Sequence, residues 1–243
     1  MSLLANDGKL KFSLTPERCK RKINLMPGRK TVFENGYFYH VYNRGSEKRD
    51  IFIKPQNYQR FIKTMYYYQY EGPKLRLSLL NQDGFQNFKP DPSKKLVEII
   101  CYCLMPNHFH ILIKQLKENG ISKFISQLSN SYTKYFNTKY KRVGALFQGV
   151  FQAVIIESDE QFIHTSRYIH LNPSVSTLVE NPANWPWSSY TEYVDKKKGI
   201  CVKEPIMSHF PSVEAYKKFV LDQLDYGRIL EILKHGAIDY DYT

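Results

Sequence analysis

Two histidines separated by a single residue, His108 and His110, begin an apolar segment with Phe109 between them. Side chains alternate along a β-strand, so both imidazoles would lie on one face and the phenyl ring on the other. Two imidazoles held in this way can chelate one metal ion, and strand histidines can equally be hydrogen-bonded to their neighbours. The pair therefore indicates either a metal site or two structural histidines.

A second polar group has helical spacing, because His164, Tyr168 and Asn172 follow one another at intervals of four residues. At about 100° per residue they form one stripe along a helix. The apolar residues that can bury this helix on a sheet lie beside the stripe and are Phe162 and Ile169. Pro173 predicts that the helix ends there, where the Asn172 amide oxygen could act as a third metal ligand. The alternative is a solvated helix face with an ordinary tyrosine at the edge of the core.

The elements that must position these groups follow from the period of the apolar residues and from turn signals. In chain order they are a strand, a helix, the two strands of a hairpin, a helix, a strand and a helix, over residues 37–45, 56–70, 96–105, 108–115, 121–140, 145–158 and 158–173. This order predicts an α+β fold, a ferredoxin-like antiparallel sheet with helices and one added helix. Further helical patterns near the end of the chain predict a helical C-terminal tail.

The composition is that of a globular protein, since 42% of the 243 residues are hydrophobic and 24% are charged. No segment approaches the ~18 apolar residues of a membrane-spanning helix, and the first residues lack the apolar core of a secretory signal. We therefore expect a cytoplasmic protein without membrane association. Cys101 and Cys103 fall within an apolar strand, which favours buried thiols over a metal site.

The charge balance points to a polyanionic partner. Lysine and arginine together number 35 against 23 acidic residues, a formal net charge of +12. Aromatic residues make up 15% of the chain, and aromatic faces interleaved with cations suit unstacked single-stranded nucleic acid. A basic soluble protein with a tyrosine-rich core is the alternative explanation of the same numbers.

Four segments in a fixed order carry a family resemblance: CYCLMPNHFHILIK, RVGALFQGVF, SRYIHLNP and NWPWSSY. Together they resemble the bacterial single-tyrosine HUH transposases, and among these the REP-associated tyrosine transposases most closely. The resemblance covers about Gly36 to Tyr193. It implies the HUH endonuclease fold, a divalent metal ion as cofactor, and single-stranded or hairpin DNA as substrate.

The resemblance also implies residue roles. His108, His110 and Asn172 would hold the metal, which the donor types suggest is Mg²⁺ or Mn²⁺. Tyr168 would be the nucleophile that forms a 5′-phosphotyrosine, and His164 could assist as a base. We interpret His40 and His170 as structural histidines. Candidate contacts to the DNA backbone are Arg44, Lys134, Lys139, Lys141, Arg142 and Arg167.

The resulting hypothesis is a metal-dependent single-strand DNA endonuclease and strand transferase, a transposase acting on hairpin-forming DNA. The alternatives are a catalytically silent DNA- or RNA-binding module and a metal-dependent nuclease that uses water. We predict a basic N-terminal arm over 1–30, a catalytic domain over 31–193 and a helical extension over 194–243. We expect a monomer, with a dimer as the alternative, in the bacterial cytoplasm and on the nucleoid when bound to DNA.

Overall fold

A computed structural model describes residues 31–72, 77, 88–195, 198–225, 227 and 228. It contains one four-stranded sheet, whose strands are β1 (Phe38–Arg44), β2 (Val97–Met105), β3 (His108–Gln115) and β4 (Gln152–Ile155). The α-helices with both ends in these residues are α1 (Pro55–Tyr68), α2 (Gly120–Tyr140), α3 (Asp159–Val175), α4 (Tyr190–Val194), α5 (Glu204–Met207) and α6 (Val213–Leu221). Short 3-10 helices span Ser46–Lys48, Pro92–Lys94 and Pro182–Asn184.

The sheet has the ferredoxin-like topology. Its strand order is β2-β3-β1-β4, and each neighbouring pair is antiparallel. The elements β1, α1, β2, β3, α2 and β4 follow one another in the chain, and α3 is added after them. The predicted fold class, an α+β ferredoxin-like antiparallel sheet with helices, is confirmed.

The two faces of the sheet are covered by different helices. Helices α1 and α2 pack on the face that carries Val41, Phe109 and Ile111, and these side chains form the first core cluster. Helix α3 packs on the opposite face, where Phe162 and Ile169 join a second core cluster. Phe109 is fully buried in the first cluster, so its neighbours His108 and His110 lie on the α3 face.

Strand β4 is shorter than the sequence predicted. Extended structure was expected over 145–158, but the strand occupies only Gln152–Ile155. Gly144 and Gly149 have φ angles of +92° and +65°, which belong to the left-handed region. Such residues turn the chain out of an extended path, so the segment before β4 is irregular. An isolated bridge between Gly45 and Phe147 and a hydrogen bond from the Gln148 amide to the Arg44 carbonyl tie it to the end of β1.

Helix α3 continues past Pro173, where the sequence predicted its end. The helix runs to Val175, with Pro173 in its last turn. A proline this close to the end removes only one backbone hydrogen bond of the helix. The amide of Ser176 donates to the Asn172 carbonyl and that of Leu178 to the Pro173 carbonyl, which closes the last turn. Asn172 is therefore a helical residue rather than a residue at the helix end.

The C-terminal helices complete the second core cluster. Ile206 of α5 and Tyr216 and Val220 of α6 are fully buried in it. The predicted arm over 1–30 and most of the last helical pattern lie outside the described residues, and the boundaries at 193 and 194 stay predictions. No helix of the described ranges is long and apolar enough to cross a membrane. Cys101 and Cys103 are both buried, as their strand position indicated.

Candidate active site

The histidine pair lies at the start of β3, beside the end of β1. In the antiparallel register His108 is opposite Arg44 and His110 is opposite Tyr42. The two imidazole rings are perpendicular, with centroids 5.0 Å apart. His110 is only 6% exposed, whereas Arg44 lies at the surface. The pair therefore sits where the covered part of the sheet face gives way to solvent.

The two ring nitrogens of His110 have different surroundings. Its Nδ1 lies 2.9 Å from Nε2 of His40 on the neighbouring strand. Its Nε2 is buried and has no hydrogen-bond partner in the part of the chain that the structure describes. A buried nitrogen without a partner is rare in proteins and needs an explanation. An unprotonated imidazole nitrogen beside a cavity is suited to bind a metal ion, which would explain it.

His108 is held between two amide side chains. Its Nδ1 lies 2.6 Å from Oδ1 of Asn107, and the ring also forms a hydrogen bond with the side chain of Asn172. Burial lowers the pKa of His108 to about 4, with a further decrease from the charge of Arg44, while the bond to Asn172 opposes the change. Burial and the neighbouring His40, His108 and Arg44 also hold the pKa of His110 well below its ordinary value. Both imidazoles are therefore neutral near pH 7, the form that binds metals.

Tyr168 lies over this pair. Its ring centroid is 5.4 Å from that of His110 and 6.0 Å from that of His40, and both contacts are edge-on. The side chain is 51% exposed although its helix neighbour Ile169 is fully buried. Asn172 follows one turn later on the same helix. The structure thus brings together the four residues expected to hold the metal and attack the substrate.

His164 lies one turn before Tyr168 and contacts a cation. Its Nδ1 is hydrogen-bonded to the guanidinium of Arg167. Arginine can only donate, so Nδ1 is the acceptor and a neutral His164 carries its proton on Nε2. Arg167 is itself fixed by Phe219 of α6, with Cζ 4.3 Å from the ring centroid. His164 is therefore placed beside the tyrosine, but as part of an arginine-histidine pair.

A cavity of about 830 Å³ opens over these residues, and His40, Gln161 and Tyr168 are among the residues that line a smaller one. Arg44 and Arg167 line the larger cavity. Lys134 and Lys139 lie on α2. The remaining two predicted DNA contacts, Lys141 and Arg142, come directly after the end of this helix. Because α2 packs on the Phe109 face, Lys134 and Lys139 lie on the opposite side of the sheet from Arg44 and Arg167.

His40 is the site residue that sequence reasoning assigned to a structural role. It contacts both His110 and Tyr168 and lines the smaller cavity. Its signal was its position two residues before Tyr42 on a strand whose other face is apolar. His170, by contrast, is fully buried, with Nδ1 2.7 Å from the Tyr216 hydroxyl and Nε2 2.9 Å from the Ser189 hydroxyl. Its surroundings are those of a structural histidine.

Comparison with known proteins agrees with these motifs. Residues 83–172 match the family model described as "Transposase IS200 like". The match ends at Asn172, so it includes the histidine pair and Tyr168. Over these residues the chain is therefore similar to IS200-like transposases. The resemblance to single-tyrosine transposases is thereby confirmed.

Two individual proteins are also similar to this chain. A Haemophilus influenzae protein named "Putative REP-associated tyrosine transposase" is 28% identical over 104 residues, which are 38% of this chain. The match spans 58% of the length of that relative. A solved structure of a REP-associated tyrosine transposase bound to a REP hairpin superimposes with a TM-score of 0.48 at 17% identity. That superposition covers 70% of this chain and 87% of the other.

Proposed function

We propose that the protein is a metal-dependent single-strand DNA endonuclease and strand transferase acting on hairpin-forming DNA. The observation that carries the proposal is the convergence of Tyr168 with the histidine pair, at 5.4 Å between the rings of Tyr168 and His110. The match of residues 83–172 to the IS200-like transposase model also supports it. The positive net charge of +12 suits a phosphodiester substrate.

The residues present fit a divalent metal ion. His110 offers a buried Nε2 without a hydrogen-bond partner, and His108 and Asn172 already share a hydrogen bond that a metal could replace. The described ranges hold no group of three or more His, Cys, Asp or Glu side chains suited to a metal, so further ligands would come from water and DNA. Bound Mg²⁺ or Mn²⁺ would withdraw charge from a non-bridging phosphate oxygen and orient the phosphate for in-line attack.

Tyr168 supplies the nucleophile in this proposal. The hydroxyl of this half-exposed residue forms a bond to phosphorus while the bond from phosphorus to the 3′ oxygen breaks. The phenol proton passes to solvent water, and the departing 3′ oxygen takes a proton from water to become a hydroxyl. The energy of the broken bond is retained in the 5′-phosphotyrosine, so attack by another 3′ hydroxyl can reverse the step and join strands.

Cationic side chains would steady the substrate around the tyrosine. Arg44 and Arg167 line the cavity and can pair with phosphate oxygens. His164 could accept the phenol proton at Nδ1 only after releasing Arg167. With Arg167 in place, the Nε2–H of His164 can instead donate to a phosphate oxygen, and we propose this accessory role for His164.

The test is an adduct assay on a denaturing gel. The protein is incubated with a single-stranded hairpin oligonucleotide and Mn²⁺ or Mg²⁺, and a covalent protein-DNA species is expected. The substitution Tyr168→Phe should abolish the adduct, whereas Tyr135→Phe, on α2 at the opposite face of the sheet, should leave it in place. An adduct undiminished by Tyr168→Phe overturns the assignment of the nucleophile.

The same assay separates the competing functions. Cleavage without an adduct would identify a nuclease that activates water. Hairpin binding that survives His108→Ala and His110→Ala, without cleavage by the wild type, would identify a silent nucleic-acid-binding module.

A further inference from the structure

Each of the two histidines on β3 has its Nδ1 anchored by another side chain. For His108 the anchor is Oδ1 of Asn107, the preceding residue in the turn. The amide nitrogen of Asn107 donates to the Lys48 carbonyl at 3.1 Å, which leaves Oδ1 directed to the imidazole. Because an amide oxygen can only accept, His108 Nδ1 must carry the proton. The lone pair of a neutral His108 is then on Nε2.

His110 has an equivalent anchor that comes from across the sheet. Nε2 of His40 lies 2.9 Å from His110 Nδ1, and the two rings are inclined by only 26°. His40 pairs with Leu112 in the β1–β3 register, so it is a diagonal neighbour of His110. A hydrogen bond between two neutral imidazoles requires one to donate and the other to accept.

Whether His110 Nε2 binds a metal ion or carries a proton decides which of the two imidazoles donates in that hydrogen bond. If Nε2 binds a metal ion it cannot carry a proton, so the proton of His110 must be on Nδ1. The His40 Nε2 lone pair is then the acceptor. We propose that His40 is a positioning residue, which fixes the tautomer and ring orientation of His110 for metal binding. This inference rests on the metal site of the proposed function.

The surroundings of His40 are consistent with this role. Its ring also contacts Tyr42 and Tyr168, with centroids 5.2 and 6.0 Å away, so neighbours on both sides restrict its rotation. A residue that anchors a metal-binding imidazole in this way contributes about 10- to 100-fold to metal affinity or activity in other proteins. His40 touches the tyrosine ring and the ligand His110, and it acts on the metal through His110.

The experiment measures Mn²⁺ affinity by calorimetry on the full chain without DNA. We expect His40→Leu, which removes the acceptor, to weaken binding by about 10- to 100-fold. His40→Gln places an amide oxygen near the former Nε2 and should restore affinity to within a few-fold of the wild type. His209→Leu is the matched control for loss of a histidine outside the site and should bind as the wild type does. Thermal unfolding in chelator shows whether each variant is folded.

The outcomes separate this inference from the proposed function. If His110→Ala removes Mn²⁺ binding but His40→Leu does not weaken it, His40 has no positioning role and the metal site stands. If the wild type does not bind Mn²⁺, or His110→Ala has no effect, the metal site fails and the inference with it.

A measurement on the wild type decides the question even if His40→Leu does not fold. Long-range proton-nitrogen NMR with Zn²⁺ as a diamagnetic substitute should show the protons of His110 and His40 each on Nδ1, which leaves His40 Nε2 as the acceptor. A proton on Nε2 of His40 in the metal-loaded protein would overturn the proposal.

Discussion

We predict that the buried His170, on the helix that carries Tyr168, makes the stability of the protein depend on pH. Its ring joins α3 to Tyr216 of α6 and to Ser189, at 2.7 and 2.9 Å. Complete burial lowers the pKa of His170 from 6.5 to about 3. Between these values the unfolded chain takes up a proton that the folded chain does not, so stability falls as the pH falls. Above pH 6.5 this contribution is present in full.

The size of the effect follows from the two pKa values. At pH 5 the pH is about 1.5 units below the pKa of the imidazole in the unfolded chain, so that imidazole is protonated, whereas the imidazole in the folded chain is still neutral. At 1.36 kcal/mol per unit, His170 alone should cost about 2 kcal/mol of unfolding free energy between pH 7.5 and pH 5. For a chain of this size that is a decrease of roughly 4–8 °C in Tm.

The assay compares urea unfolding of the wild type and His170→Gln at pH 7.5 and pH 5, without metal or DNA. The variant starts from lower stability but should lose about 2 kcal/mol less over this range, because glutamine does not titrate. His209→Gln should follow the wild type. Equal losses in His170→Gln and the wild type would show that His170 is not a buried neutral histidine, and the reasoning would be refuted.

Two further predictions concern the assembly of the site and its DNA contacts. Tyr168 meets the histidine pair of its own chain, so mixing His110→Ala with Tyr168→Phe should not restore adduct formation on the denaturing gel; restored adduct would show that two copies exchange helices. Arg44→Glu, within the cavity, should slow adduct formation by at least tenfold, whereas Lys134→Glu, on the opposite face, should act mainly on binding. A filter-binding titration against salt should show a slope reduced by about 0.7 for each lost contact to single-stranded DNA, and equal effects of Arg44→Glu and Lys134→Glu on adduct rate would contradict the division into two faces.

Much of the site could be predicted because it depends on local periodicity. The alternation of β3 placed His108 and His110 on one face, and the helical period placed Tyr168 and Asn172 on one stripe. The contact of His40 with His110 could not be predicted in this way, since it depends on the register between β1 and β3, which are far apart in sequence. A period identifies the face of a residue, but only the register identifies its partner.

The sequence predicted the end of α3 and the length of β4 wrongly, each for a physical reason that the structure shows. A proline in the last turn of a helix costs one hydrogen bond, and packing of α3 in the second core cluster outweighs it. Apolar side chains before β4 suggested a strand, but Gly144 and Gly149 adopt left-handed conformations that an extended chain excludes. Packing therefore decided the end of α3, and glycine conformations decided the start of β4.

The position of the site follows from which face of the sheet the crossover helices leave open. Right-handed connections put α1 and α2 on the same face, so the opposite face needs α3 and the C-terminal helices to cover it. That cover is complete over Leu112, which is fully buried, and it thins toward the start of β3, where His108 is half-buried and Arg44 is exposed. Polar groups at this edge are sheltered enough to stay neutral and open enough to meet a substrate. The cover that the second layer provides therefore accounts for the lowered pKa of His108, and its thinning at this edge accounts for the exposure of Tyr168.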